Sequence, residues 1–333
     1  MPCPGVTYTR TAARNPFIYE APFREDLLAD GFVTGTTEPE SGVNVGAGVF
    51  GRPTPTQAIV EGDGITLGPD ATWTIDAGVT VRDRVIPGRV ILREAAELRN
   101  CRITGPPAEV TFNTALITGP DTGTPARVLF CTVDPDVASP YYDGVQNGLN
   151  VQRSWITNVT DGVRAFNQTT GQCRIRMEGT LVDSLTQFTP DYAFPGERPE
   201  THNDCAQMQG NPGGTVEDLF FDGCKLNARH STTKGDVAEL HRAEISALML
   251  SPNVGTIHVT FTRGWLLGGI FCVNAGNDGL TGSELVLTDS RFERPGTDAL
   301  APDVAFSADA SLTLTQSGNT YIDNGQPVPV TGG

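Results

Sequence analysis

Thr201-His202-Asn203-Asp204-Cys205-Ala206-Gln207-Met208-Gln209-Gly210 is the stretch on which the fold turns. An ionisable cluster, His202 to Asp204, leads straight into an alternating run. Asp143-Gly144-Val145-Gln146 and Asp161-Gly162-Val163-Arg164 echo it earlier in the chain. The three segments read as successive turns of one coil, each opening with an aspartate. Anchored on Val145, Val163, Ala206, Ala247, Ile270 and Val304, strands of this type recur at steps of 18, 43, 41, 23 and 34 residues.

A second strand type runs aliphatic-x-aliphatic, then a small residue, then another apolar position. Leu98-Arg99-Asn100-Cys101-Arg102-Ile103 and Val151-Gln152-Arg153-Ser154-Trp155-Ile156 are copies of it. Its small-residue anchors fall at 101, 131, 154, 179, 224, 264, 290 and 318, giving steps of 30, 23, 25, 45, 40, 26 and 28. Both ladders lengthen in the same places, around residues 186–201 and 227–244. Two insertions in one coil produce that agreement. Irregular periods of roughly 20–45 residues are the signature of a solenoid. The short steps hold two or three strands and their turns, with no room for a pair of helices. Alternation gives each strand an apolar inner face, which stacked rungs bury together and no single rung buries alone. The expected fold is all-β, a parallel β-helix of about eight rungs over residues 61–333.

The recurring small position explains the cysteines. Of seven in the chain, Cys101, Cys131 and Cys224 share that position with Ser154, Gly179, Gly264, Ser290 and Gly318. A thiol there acts as a small buried hydrophobe. Zinc-type CxxC spacing is absent. Residues 1–60 show no repeat and carry apolar clusters, Pro16-Phe17-Ile18-Tyr19 and Ala21-Pro22-Phe23. They read as a separate capping or attachment segment.

Composition bounds the partners. A net charge of −16, spread along the 333 residues, disfavours nucleic acid, whose phosphates need clustered Lys and Arg. No apolar run approaches the roughly 18 residues a membrane span needs. The first residues lack the apolar core of a signal peptide, so the chain is expected to be made and kept in the cytoplasm or to leave without the usual export route.

His202-Asn203-Asp204-Cys205-Ala206-Gln207, together with the Asp-Gly-Val repeats at 143 and 161, resembles the right-handed parallel β-helix proteins of the pectate-lyase-like superfamily. It is especially similar to members found in bacteriophage tails and actinobacterial surface proteins. The common form there is His-Asn-Asp-Gly-Ile-Gln, so Cys205 and Ala206 depart from it. The resemblance covers about residues 60–325 and implies a right-handed coil. It also implies a tail-associated virion protein, of minor tail protein or tailspike type, made in the host cytoplasm and acting outside the cell at a host-surface polysaccharide. Its first segment would then dock other tail proteins, and the assembly would be a homotrimer. The alternative is a polysaccharide lyase or glycoside hydrolase, since this fold hosts enzymes and adhesins alike.

The candidate chemistry is a stripe of Asp143, Asp161 and Asp204 at one position of three successive rungs, about 4.8 Å apart. Glycosidases use carboxyl pairs at about 5–5.5 Å or 6.5–9.5 Å, and a rung ladder supplies both spacings. Crowded like charges raise one pKa, which a general acid requires. His202, two residues before Asp204, faces the same way in an extended chain and adds a proton shuttle. Three readings of the stripe stay open. Asp at a repeated turn bonds its own backbone with no further role. Alternatively it does glycan chemistry, or it binds Ca²⁺ with Asp134 and Asp136 nearby. The inserted aromatics Phe188, Tyr192 and Phe194, with Tyr142 before the first aspartate, are candidate walls for stacking a sugar ring. Val237, Leu240 and Ala243 in the second insertion are spaced for a short outer helix.

Overall fold

The computed structural model describes residues 52, 54–107, 114–166, 174–188, 203–209, 214–229, 231–234, 245–251, 255–275, 280–297 and 301–332. Three long sheets, of 10, 11 and 9 strands, wrap one core as a right-handed parallel β-helix. Sheet 1 runs from Gln57–Ala58 to Thr320–Tyr321, sheet 2 from Ile65–Gly68 to Thr331–Gly332, and sheet 3 from Thr80–Arg82 to Thr313–Ser317. The chain visits sheets 1, 2 and 3 in turn and then starts the next rung. The nine strands of sheet 3 make one rung more than the repeat count implies. Pairing within these sheets is parallel, apart from a hairpin of Ile65–Gly68 with Thr72–Ile75 at the first edge of sheet 2.

Register shows how the alternation builds the core. On sheet 3, Val81, Leu98, Val128, Val151, Met177, Phe221, Phe261 and Leu287 stack in one inward column. All are buried, and the rings of Phe221 and Phe261 lie 6.0 Å apart. Sheet 1 contributes Ile86, Ile103, Val133, Ile156, Val182, Leu226, Leu266 and Phe292. Sheet 2 contributes Trp73, Val90, Ile117, Val145, Val163, Ala206, Leu248, Val273 and Phe306.

The corner from sheet 3 into sheet 1 repeats on every rung. Asp83, Asn100, Phe130, Arg153, Gly179, Gly223, Arg263, Asp289 and Gly318 occupy it, all with φ between 48° and 68°. A non-glycine residue pays about 1–2 kcal/mol to sit there. Each strained corner is held by its own N–H, which donates to the next rung: Asn100 to Leu129 O, Phe130 to Gln152 O and Arg153 to Glu178 O, all at 2.9 Å.

The small residue follows this corner. It is Cys101, Cys131, Ser154, Cys224, Gly264 and Ser290 as the repeat implies, but Thr180 and Asn319 rather than Gly179 and Gly318. On those two rungs the glycine takes the left-handed position itself. The small side chains form an inner ladder. The N–H of Cys131 donates to Ser154 Oγ at 3.1 Å, that of Ser154 to Thr180 Oγ1 at 3.4 Å, and that of Ser290 to Asn319 Oδ1 at 3.0 Å. The five described cysteines are free and buried. Burial pushes the thiols of Cys131, Cys205, Cys224 and Cys272 up, away from the reactive thiolate.

The two insertions begin side by side. Leu185–Phe188 and Ser231–Lys234, on consecutive rungs between sheets 1 and 2, pair as a separate two-stranded parallel sheet. The outer helix expected near Val237 lies outside the described residues, as does the expected attachment segment up to residue 51.

Crowding at the sheet 1–sheet 2 corner accounts for the Asp-Gly pairs. A Cβ on Gly144 would sit 2.3 Å from Gly162 O, and one on Gly162 would sit 2.2 Å from Val182 Cγ1 and 2.7 Å from Cys205 O. The backbone of the following rung fills the space. The third rung accommodates Cys205 at this position, its sulfur directed at Val182 O at 3.9 Å. Gly162→Ala should therefore cost about 1–3 kcal/mol of stability through overpacking. Guanidinium denaturation of the variant against the parent chain measures it, and an unchanged midpoint would refute the crowding argument.

Candidate functional site

The aspartates do share one position. Register aligns Val145 with Val163 and Val163 with Ala206, which sets Asp143, Asp161 and Asp204 in one column at the entry to sheet 2. In this column Ala115 stands before the aspartates and Ser246 after them. Their relative exposures are 5%, 8% and 0%, so the stripe lies beneath the surface.

Each carboxylate links its rung to the next. The N–H of Asp204 donates to Asp161 Oδ1 at 2.9 Å, and that of Ser246 donates to Asp204 Oδ1 at 2.9 Å. The N–H of Asp161 likewise donates to the Asp143 carboxylate. Beside them the ordinary ladder continues, with Gly144 N–H to Asp161 O at 2.7 Å and Gly162 N–H to Asp204 O at 3.0 Å. Side-chain oxygens thus supply acceptors where the chain bends into sheet 2. Asn203, fully buried, does related work: its Nδ2 donates to Thr160 O at 3.0 Å and to Thr186 O at 2.8 Å.

Asp143 differs from the other two in its partners. Thr160 Oγ1 donates to its Oδ1 at 3.0 Å, and Arg164 Nη1 to its Oδ2 at 2.7 Å. Burial pushes its carboxyl above the usual range, and the Arg164 guanidinium offsets only part of that shift.

The candidate aromatics separate. Tyr142 is 1% exposed and belongs to the core, with its backbone carbonyl taken by Thr160 N–H at 2.9 Å and Thr160 Oγ1 at 2.8 Å. Phe188, 2% exposed, packs on Ala138. Neither ring offers a face to a sugar in solution. His202, Tyr192 and Phe194 lie outside the described residues. Asp134 and Asp136 are engaged by Arg102 Nη2 at 3.4 and 3.1 Å. Burial pushes the Asp134 carboxyl up. Among the described residues no group of three or more His, Cys, Asp or Glu converges as a metal site.

An open groove lies elsewhere, on the corner between sheets 2 and 3. It encloses about 950 Å³ and is lined by Asp76, Arg93, Glu94, Thr118, Asp121 and Asn147, among others. Three consecutive rungs contribute the carboxylates, each just after a sheet 2 strand. Asn147 Nδ2 donates to Asp121 Oδ1 at 2.6 Å and fixes that wall. Asp76, Arg93, Glu94 and Asp121 are exposed. Sequence reasoning passed over them because their turns differ in length and share no motif. The available signal was a charged residue after each of the runs ending at Ile75, Leu92 and Thr118.

No family model, no curated protein and no solved structure matches this chain.

The stripe makes two predictions. Asp161→Ala removes the acceptor of the buried Asp204 N–H and should cost about 1–3 kcal/mol, whereas Asp161→Asn keeps an acceptor oxygen and should cost much less. Equal losses in urea titrations would contradict the linking role. The second concerns pH. A carboxyl raised in the folded state contributes stability that is full below its unfolded pKa and is lost as pH rises through its folded pKa. Parent chain and Asp143→Asn should therefore diverge on acidification through the carboxylate range, the parent gaining relative to the variant. A stability difference that is flat from pH 7 to pH 4 would contradict it.

Proposed function

We propose that this chain is a β-helical component of a bacteriophage tail that holds the virion against a host-surface polysaccharide by binding rather than by cleavage. The observation that carries the binding side of this reading is the use of Asp143, Asp161 and Asp204 as rung-to-rung links, buried and bonded to backbone N–H groups. A general acid and its partner must reach the substrate, and these carboxylates face the next rung. The groove of Asp76, Arg93, Glu94 and Asp121 offers what a glycan needs, acceptors and a guanidinium donor beside an open surface. The tail assignment rests on the resemblance of the His202–Gln207 segment and on the parallel coil. A homotrimer, with the first segment docking other tail proteins, follows from the same resemblance.

Purified protein incubated with immobilised host cell-wall polysaccharide should be retained without releasing reducing ends or unsaturated sugars. The pair Glu94→Gln and Asp121→Asn should weaken retention about tenfold, roughly 1.4 kcal/mol. Mass spectrometry of purified virions should find the chain. Release of sugar that disappears in folded Asp161→Asn and Asp204→Asn proteins would establish the lyase or hydrolase reading instead.

A further inference from the structure

The small position after the corner between sheets 3 and 1 places two sulfurs one above the other. Thr132 pairs with Arg102, and the N–H of Thr132 donates to Cys101 O at 2.9 Å, so Cys131 stands directly over Cys101 on the next rung. Both side chains are fully buried in the core. Each sulfur points at the carbonyl two residues back, Arg99 O for Cys101 and Leu129 O for Cys131, both at 3.4 Å, so the two take one orientation. The thiols are in hydrogen-bond contact with each other. That bond holds the Cys101 thiol below its ordinary range in spite of burial, whereas burial pushes the Cys131 thiol up.

Among the described cysteines no other two share a position on neighbouring rungs. Ser154 and Thr180 stand between Cys131 and Cys224, which are therefore three rungs apart, about 14 Å at the usual strand spacing. Ala247 stands between Cys205 and Cys272, which are two rungs apart, about 9.6 Å. A disulfide requires Cα atoms about 4.4–6.8 Å apart and cannot form beyond about 7 Å without backbone movement. Neighbouring rungs are about 4.8 Å apart. Cys101 and Cys131 meet that requirement, and the more distant pairs do not. Packing accounts for each of these thiols singly. Their succession adds a chemistry that serine in either place would lack.

We propose that Cys101 and Cys131 are a site of oxidative cross-linking, joined by a disulfide between neighbouring rungs when the chain meets a low-molecular-weight disulfide such as oxidised glutathione. The Cys101 thiolate attacks the S–S bond of the oxidant, forms a mixed disulfide and releases one thiolate. The Cys131 sulfur then attacks Cys101 Sγ, and the second thiol leaves with the Cys131 proton. The two cysteines lose two electrons and two protons, and the oxidant is reduced to two thiols. Because both sulfurs are fully buried in the finished coil, the exchange takes place while these rungs assemble or open locally. Once made, the bond is shielded from reductants. It joins residues 30 apart in the chain and so restricts the unfolded ensemble, fastening two rungs near the start of the coil. This concerns the core of the solenoid and stands whether or not the tail reading holds.

The full-length protein is treated with oxidised glutathione twice, once folded and once while refolding from guanidinium, and digested with trypsin without reduction. Mass spectrometry of at least one sample should show fragments 100–102 and 128–153 as a single disulfide-linked species. Cys131→Ser protein treated alike should lack it. The linked chain should unfold at a guanidinium midpoint about 0.5 M above that of the same chain kept reduced, a comparison that needs no variant. Absence of the linked species from both samples, linkage of either cysteine to a different one instead, glutathione adducts that go no further, or equal midpoints would each overturn the proposal.

Discussion

The rest of the structure depends on one hydrogen bond repeated up the axis, from the N–H of a left-handed corner residue to the carbonyl of the next rung. A parallel strand pair has no hairpin to set its register, so something else must fix where each rung turns. The corner between sheets 3 and 1 does this. A single residue with positive φ reverses the chain direction sharply, and its N–H remains available to the rung above. Because the corner recurs at the same register, inward columns such as Val128, Val151, Met177 and Phe221 fall into line. Non-glycine residues such as Phe130 and Arg153 sit there at a strain of about 1–2 kcal/mol, which the link offsets in part.

Polar side chains extend the same logic where backbone pairing gives out. At the small position after the corner, Ser154, Thr180, Ser290 and Asn319 accept N–H groups from the rung before. At the entry to sheet 2, Asp143, Asp161 and Asp204 accept them from the rung after. The two ladders run in opposite senses along the axis. Cysteine occupies the small position on other rungs, where its sulfur points at a carbonyl two residues back: Cys101 at Arg99 O and Cys131 at Leu129 O, both at 3.4 Å. Cys101, Cys131 and Cys224 thus share a steric requirement with serine, which accounts for them without a disulfide or a metal.

Much of this was legible in the sequence because the repeat is set by packing. The small position was correct wherever a cysteine or serine marked it. It slipped by one residue at Gly179 and Gly318, because glycine there serves the left-handed turn rather than the close contact. The aspartate ladder was correct from Val145 to Ala206. Beyond that, Leu248, Val273 and Phe306 take the inward column: Ala247 is an apolar neighbour on the other face, Ile270 precedes its strand, and Val304 stands two residues earlier in its own. The alignment of Asp143, Asp161 and Asp204 was legible, but their burial was not. Exposure depends on what covers the corner, and no local pattern encodes it. Tyr142 and Phe188 were chosen as outward aromatics for the same reason, whereas the core and Ala138 take them up.

A solenoid divides its positions into those that hold rungs together and those left free to vary. Asp161 and Gly162 belong to the first group: one accepts a backbone N–H, and the other leaves space for a backbone carbonyl. A substrate there would have to displace a rung-to-rung link to reach the carboxylate. The corner between sheets 2 and 3 lies at the other extreme. Its turns differ in length, and its links are individual ones, such as Gly78 N–H to Glu94 O at 3.0 Å and Ala95 N–H to Thr124 O at 3.2 Å. Side chains at Asp76, Glu94 and Asp121 can therefore change without disturbing the core columns behind them. Recognition of an external ligand is easiest to build where the fold constrains least. That is why the groove at this corner, and not the more regular aspartate stripe, is where this fold leaves most room for a recognition surface.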